Sequence, residues 1–266
     1  MDKSIKVVKS AQPVVRVKLT LAYDGSGFHG WQLQPDAPTV QGCIEKALER
    51  ICSRPVRIHG SGRTDAGVHA LGQVAHFDQP ENKASVPWQK ALNAILPDSI
   101  RVTRSLILGP DFHARFSAVS KTYCYNLWLE PDYVFPQRRN FVWKTGPLDL
   151  ESMKKGSDLL VGKHDFRAFM NSGTEVRSTE RKVTGISFIQ GLYPQELAVR
   201  ITADGFLKQM ARNIIGALVS VGRQKNHWTK LSRFLSDKTR PLTPATAPAR
   251  GLCLEKVEYP EKYRAH

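Results

Sequence analysis

Acidic residues are what this sequence lacks most: 24 Asp and Glu stand against 39 Lys and Arg, a formal net charge of +15. So basic a chain favours a polyanionic partner, nucleic acid ahead of an anionic membrane. Cysteine is sparse as well. Cys43, Cys52, Cys124 and Cys253 are scattered with no C-x-x-C pair, and no two histidines have the spacing of a zinc site. They read as reduced, mostly buried side chains, so no metal is expected. Long apolar runs are missing too. The most apolar stretch, NIIGALVSVG, lies between Arg212 and Arg223 and falls well short of the ~20 residues a membrane-spanning helix needs. The opening MDKSIKVVKSAQPVV has no apolar segment followed by a cleavage site. Residues 1–13 are therefore expected to form a mobile basic tail, and the protein to work in the cytoplasm.

What is present suffices for a core: 266 residues, 41% of them hydrophobic, enough for one large domain or two of ordinary size. VVRVKLTLAYDG alternates, with Val15, Val17, Leu19, Leu21 and Tyr23 on one face, and predicts a strand. PTVQGCIEKALERI places Val40, Cys43, Ile44, Ala47, Leu48 and Ile51 at helical spacing, with Thr39 as N-cap. Strands at 56–59 and 73–77, a helix near 88–96 and a strand near 101–108 complete a β-α-β-β-α-β order. The same order returns in KTYCYNLWLE, a helix near 149–161, strands near 182–189 and 196–203, the amphipathic FLKQMARNIIGALVSVG and the strand GLCLEKVEY. The expected fold class is α+β: two split βαβ (ferredoxin-like) halves whose antiparallel sheets form a central sheet flanked by helices, with a basic cleft between them. The halves are placed at 14–111 and 112–266. The proline-rich KTRPLTPATAPARG (238–251) reads as an ordered crossing into the last strand.

The stretch HGSGRTDAGVHALGQVAHFD (59–78) joins two strands of the first half. Its glycines at 60, 62 and 67 relax the backbone and keep bulk away, so that a planar ligand could come close. It is not a phosphate loop, because the Lys-Ser/Thr ending is absent. A plain turn is one reading of its Asp and Gly. The others make the lone Asp65 a nucleophile, a general base or a metal ligand. A metal would call for further carboxylates or histidines nearby, whereas a nucleophile needs one carboxylate held against an electrophilic carbon.

GRTDAGVHA (62–70) resembles the active-site motif of the TruA family of tRNA pseudouridine synthases. YDGSGFHGWQLQ (23–34), TVQGCIEKAL (39–48), FHARFSAVSKTYCY (112–125), GKHDFRAF (162–169), FLKQMARNIIG (206–216) and APARGLCLEKVEY (247–259) resemble its other segments in the same order. Cys124 and the Lys208-Gln209 pair depart from the usual pattern, at positions that carry none of the chemistry.

The resemblance implies an enzyme that isomerises uridine to pseudouridine in tRNA, in the anticodon stem-loop at nucleotides 38 to 40, without a cofactor. It implies Asp65 as the catalytic carboxylate, Arg212 beside it as the orienting cation, and Tyr123 against the target base. Arg63 would hold an RNA phosphate or the flipped nucleotide, and the protein would be a homodimer. Arg138, Arg139, Arg177, Arg181, Lys182, Arg223 and Lys225 are further RNA-contact candidates. The rival reading is a catalytically silent RNA-binding protein on the same scaffold. A nucleotide-dependent phosphotransferase is disfavoured by the missing phosphate lysine.

Overall fold

A computed structural model describes residues 15–80, 83, 85–171, 173, 176–236 and 245–264. The expected N-terminal tail, and the 238–251 crossing up to residue 244, lie outside the described residues.

The first half runs β1 (Arg16–Tyr23), α1 (Val40–Cys52), β2 (His59–Gly60), β3 (His69–Asp78), α2 (Trp88–Asn93) and β4 (Ile100–Leu108). The second opens with β5 (Ser120–Trp128), β6 (Trp143–Lys144), α3 (Leu150–Asp158) and β7 (Gly162–Asp165). It continues through β8 (Glu180–Gln190), β9 (Glu196–Ala203), α4 (Met210–Gly222), α5 (Lys230–Ser236) and β10 (Leu252–Glu258).

Alternation decides the sheet. In β1 Val17, Leu19 and Leu21 are wholly buried, and Tyr23 nearly so, on the face that meets the apolar stripe of α1, Val40, Ile44 and Leu48. The helix starts where expected: the Thr39 side chain accepts the Gly42 N–H at 3.2 Å. It ends at Ser53, which takes the left-handed conformation with φ 55°.

Among the described residues all ten strands join one sheet. The first half has the spatial order β4-β1-β3-β2 and the second β10-β5-β9-β8, antiparallel along both paths, with β7 extending the far edge. With the added strands β6 and β7 left out of the count, both halves read fourth, first, third, second, the split βαβ order anticipated from the periodicities. One parallel contact fuses them. β3 takes β2 against its end at His76 and Ala75, and β10 against its start, where Cys253 faces His69 and Leu254 faces Ala70. The loop between β2 and β3 therefore opens at the seam.

The elements differ from expectation in places. α4 begins at Met210 rather than 206, because Gln209 adopts φ 60° and cannot continue a helix. Arg212 thus stands in the first helical turn. Short strands β6 and β7 and helix α5, each too brief for a periodic signature, were not anticipated.

Candidate active site

The loop from Ser61 to Val68 is clamped from beneath. Ser61 donates its hydroxyl to Gln73 Oε1 at 2.7 Å, and Gln73 Nε2 donates to the Gly62 carbonyl at 3.0 Å. Thr64, next to Asp65, is fixed at both ends. Its hydroxyl bonds the Tyr23 phenol at 2.9 Å and its carbonyl accepts the Trp31 N–H at 3.0 Å. With these groups buried, each unmade bond would cost about 1–3 kcal/mol, so the loop is held to one conformation.

The glycines serve a purpose other than the one expected. A Cβ on Gly60 would stand 2.7 Å from the indole of Trp31, and one on Gly62 would stand 2.8 Å from Lys121 Nζ. The space they leave is filled by protein, not kept for a ligand. Only Gly67 of the three needs glycine's left-handed freedom, at φ 76°.

Asp65 is one-third exposed, and its Oδ2 accepts from Arg212 Nη1 at 2.8 Å. Arg212 is itself fixed: its Nε donates to the Ala247 carbonyl at 2.7 Å, and the Ala247 N–H returns to the Arg212 carbonyl at 3.2 Å. Behind it Asn213 is buried, donating to the Phe169 carbonyl at 2.7 Å and accepting the Thr246 hydroxyl at 2.6 Å. The guanidinium therefore arrives pre-oriented. Asp65 Oδ1 makes no hydrogen bond among the described residues.

Tyr123 lies on β5 with its ring edge-on to Phe206, centroids 4.9 Å apart. Burial, reinforced by the neighbouring Tyr23 and Asp65, raises the Tyr123 phenol well above its usual pKa. It stays protonated at neutral pH, a hydrogen-bond donor and a flat wall rather than a phenolate base. Two residues earlier on the same face, Lys121 reaches across the seam and donates to the Ser61 carbonyl at 2.7 Å. Burial lowers its ammonium to about 8.

Arg63 projects outward, exposed, with no hydrogen bond or ion pair among the described residues. Of the other basic candidates, Arg139 is likewise exposed and unpaired among those residues. Arg138 is engaged within the fold. It forms a two-pronged pair with buried Glu196, at 2.6 and 3.0 Å, and lies over the Phe141 ring. Arg223 donates to the Thr145 carbonyl and covers Trp143.

Sequence reasoning passed over Lys121 and Phe206. The first reads as a solvated lysine at a strand start; the second sits at the head of a stretch that looks helical. Position in SKTYCY, at the same parity as Tyr123, was the available signal for Lys121. Among the described residues no group of three or more His, Cys, Asp and Glu side chains could hold a metal, and no helix is long and apolar enough to cross a membrane.

This arrangement places a fixed, arginine-paired carboxylate, partly open to solvent, beside a protonated tyrosine at a seam between two similar units. Known proteins match it along most of the chain. The profile of the tRNA pseudouridine synthase family covers residues 20–117 and 157–260. tRNA pseudouridine synthase A of Solidesulfovibrio magneticus is 51% identical over 251 residues, 92% of each chain. The enzyme of the same name from Maridesulfovibrio salexigens is 50% identical, covering 92% of this chain and 91% of that one. That from Lawsonia intracellularis is 48% identical over 92% of this chain and 99% of its own. Among solved structures, a chain of a Cbf5-Nop10-Gar1 complex aligns over 90% of this chain and 48% of its own, with TM-score 0.37 and 10% identity, too loose a likeness to build on. The profile and these relatives show that the chain belongs to the tRNA pseudouridine synthase family.

Proposed function

We propose that the chain converts uridine to pseudouridine in the anticodon stem-loop of tRNA, at nucleotides 38 to 40, with Asp65 as the nucleophile. The target base must leave its stack, at a cost of a few kcal/mol that contacts elsewhere offset. Asp65 then faces C1′ of the extruded nucleoside. The N1–C1′ bond breaks, the uracil turns, and a C5–C1′ bond forms. C5 loses its proton and N1 gains one, so the product is an isomer, the electrons balance, and no redox cofactor takes part. Arg212 holds the carboxylate in line, and its guanidinium offers separate N–H groups to Asp65 and to the Ala247 carbonyl. Tyr123 packs against the base and donates a hydrogen bond to it. Arg63, exposed at the loop's shoulder, holds an RNA phosphate or the flipped nucleotide. The working unit is a homodimer in the cytoplasm.

The observation that carries this reading is the 2.8 Å contact between Arg212 and Asp65, made across the seam on a loop with little freedom. Mapping pseudouridine in tRNA treated with the pure protein tests the reaction and the target positions together. Asp65→Asn should abolish product while leaving tRNA affinity within a few fold. Full activity in that variant would remove the nucleophile, and tRNA binding by the wild type without product would favour the silent RNA-binding reading.

A further inference from the structure

Phe116 is 78% exposed, an unusual position for a phenyl ring. It is nevertheless held firmly. Its ring stacks on the imidazole of His113, centroids 4.3 Å apart and planes 28° off parallel. His113 stands edge-on to His76 at 4.6 Å, and His76 stacks on His59 at 5.2 Å and 24°. The foot of this column is buried: His76 meets the fully buried Phe112 edge-on.

The turn that presents Phe116 is pinned at every residue. The Ala114 N–H donates to His76 Nδ1 at 3.1 Å, and its carbonyl accepts the Tyr259 hydroxyl at 2.6 Å. The N–H groups of Arg115 and Phe116 both donate to His113 Nδ1. The Ser117 hydroxyl accepts the His113 N–H at 3.0 Å, and the Ser117 N–H donates to the His113 carbonyl at 2.9 Å. Burial lowers both His76 and His113, so the rings are neutral at pH 7 and present flat, uncharged faces. A ring so well fixed costs little further entropy to bind against.

Its surroundings favour one kind of ligand. The Arg115 guanidinium lies 5.9 Å from the Phe116 ring centre. Arg115 is close enough to help lower the Lys121 ammonium, which in turn bonds Ser61 in the loop that carries Asp65. His59 stands on the strand that runs into that loop. An exposed aromatic face beside an arginine, next to the catalytic loop of a protein with net charge +15, suits a nucleic-acid base with its phosphate.

We propose that Phe116, seated on His113, is a stacking platform for an unpaired base of the RNA substrate, and that Arg115 takes the adjoining phosphate. The platform rests on the reading that RNA lies across the Asp65 loop. It would fix the register of the loop strand while the target uridine is extruded.

The test uses the full-length enzyme and stem-loop RNAs carrying 2-aminopurine at each unpaired loop position in turn. Wild-type enzyme should quench one position strongly. Phe116→Ala should lose that quenching and raise KM between about fivefold and about a hundredfold, with kcat at saturating RNA unchanged. Phe116→Trp should restore both; Phe116→Leu, apolar but not flat, should not. Leu192→Ala, at a similarly exposed apolar residue in the turn between β8 and β9, should change nothing. Wild-type KM and quenching in Phe116→Ala would overturn the platform, as would full rescue by leucine. Wild-type enzyme that makes no pseudouridine in any tRNA would instead defeat the reading of the reaction, an outcome separable from these.

Discussion

Arg212 and Asp65 stand 147 residues apart in the chain and 2.8 Å apart in the fold. Each comes from a different half, so neither half alone contains the pair. Because Arg212 is tied through Nε to Ala247 and through Nη1 to Asp65, its geometry depends on having two N–H groups on one rigid plane. Lysine has a single ammonium on a flexible stem and cannot make both contacts at these angles. Arg212→Lys and Arg212→Met should therefore both lower kcat by roughly ten- to a hundredfold, the worth of one charge-assisted hydrogen bond of about 1.5–3 kcal/mol. The Kd for tRNA should move far less. Single-turnover rates at saturating tRNA, set beside filter-binding affinities, separate the two effects. A lysine variant with wild-type kcat would mean that charge alone suffices.

Much of this was legible in the sequence because alternation and helical spacing are local. Val17, Leu19 and Leu21 declare a strand whatever lies beside them, and the β-α-β-β-α-β order follows from such segments. The fusion of β3 to β10 was not legible, since Cys253 meets His69 only when two distant strands share a register. That Arg212 stands beside Asp65 could be read through motif resemblance, and the two side chains do meet. The start of α4 could not, because nothing in FLKQMARN marks Gln209 as left-handed. The pairing of Arg138 was not legible either, because sequence cannot show that Glu196 is buried beneath it.

The Trp31 indole occupies the place where Gly60 would carry a side chain, with ring atoms 2.7–2.8 Å from where a Cβ would stand. Trp31 is 2% exposed and has nowhere to move. Gly60→Ala should destabilise the fold by about 1–3 kcal/mol through overpacking. Gly27→Ala, where the added carbon meets nothing within 4 Å, should cost far less. Urea midpoints of the two variants measure the difference.

Lys121 gives activity and stability opposite pH trends. Its ammonium, lowered by burial to about 8 from 10.5, loses its proton above pH 8 and with it the charge-assisted bond to the Ser61 carbonyl. The pH profile of kcat/KM should fall on the alkaline side with an apparent pKa near 8. The profile of Lys121→Met should be lower but lack that limb. Stability moves the other way: between pH 8 and 10.5 the unfolded chain holds a proton that the fold has released, so folding becomes more favourable as pH rises through that window. Alkaline inactivation accompanied by unfolding would rule out this origin.

His76 should control the acid side of stability. It is buried beneath the Phe116 column, and desolvation, with Arg16, His113 and His59 adding to it, lowers its pKa to about 4 from 6.5. The unfolded chain therefore takes up a proton below pH 6.5 that the fold refuses until near pH 4. Stability should be full above pH 6.5 and fall as the solution is acidified from 6.5 to 4, by on the order of 3 kcal/mol at most. His76→Asn retains an acceptor near the Nδ1 position for the Ala114 N–H but does not titrate in this range. Urea midpoints measured from about pH 7 to about pH 4.5 should drop less steeply for that variant than for the wild type. Identical slopes would mean that the acid sensitivity arises from paired carboxylates such as Asp78, held low by Arg16 at 2.7 Å, rather than from the imidazole.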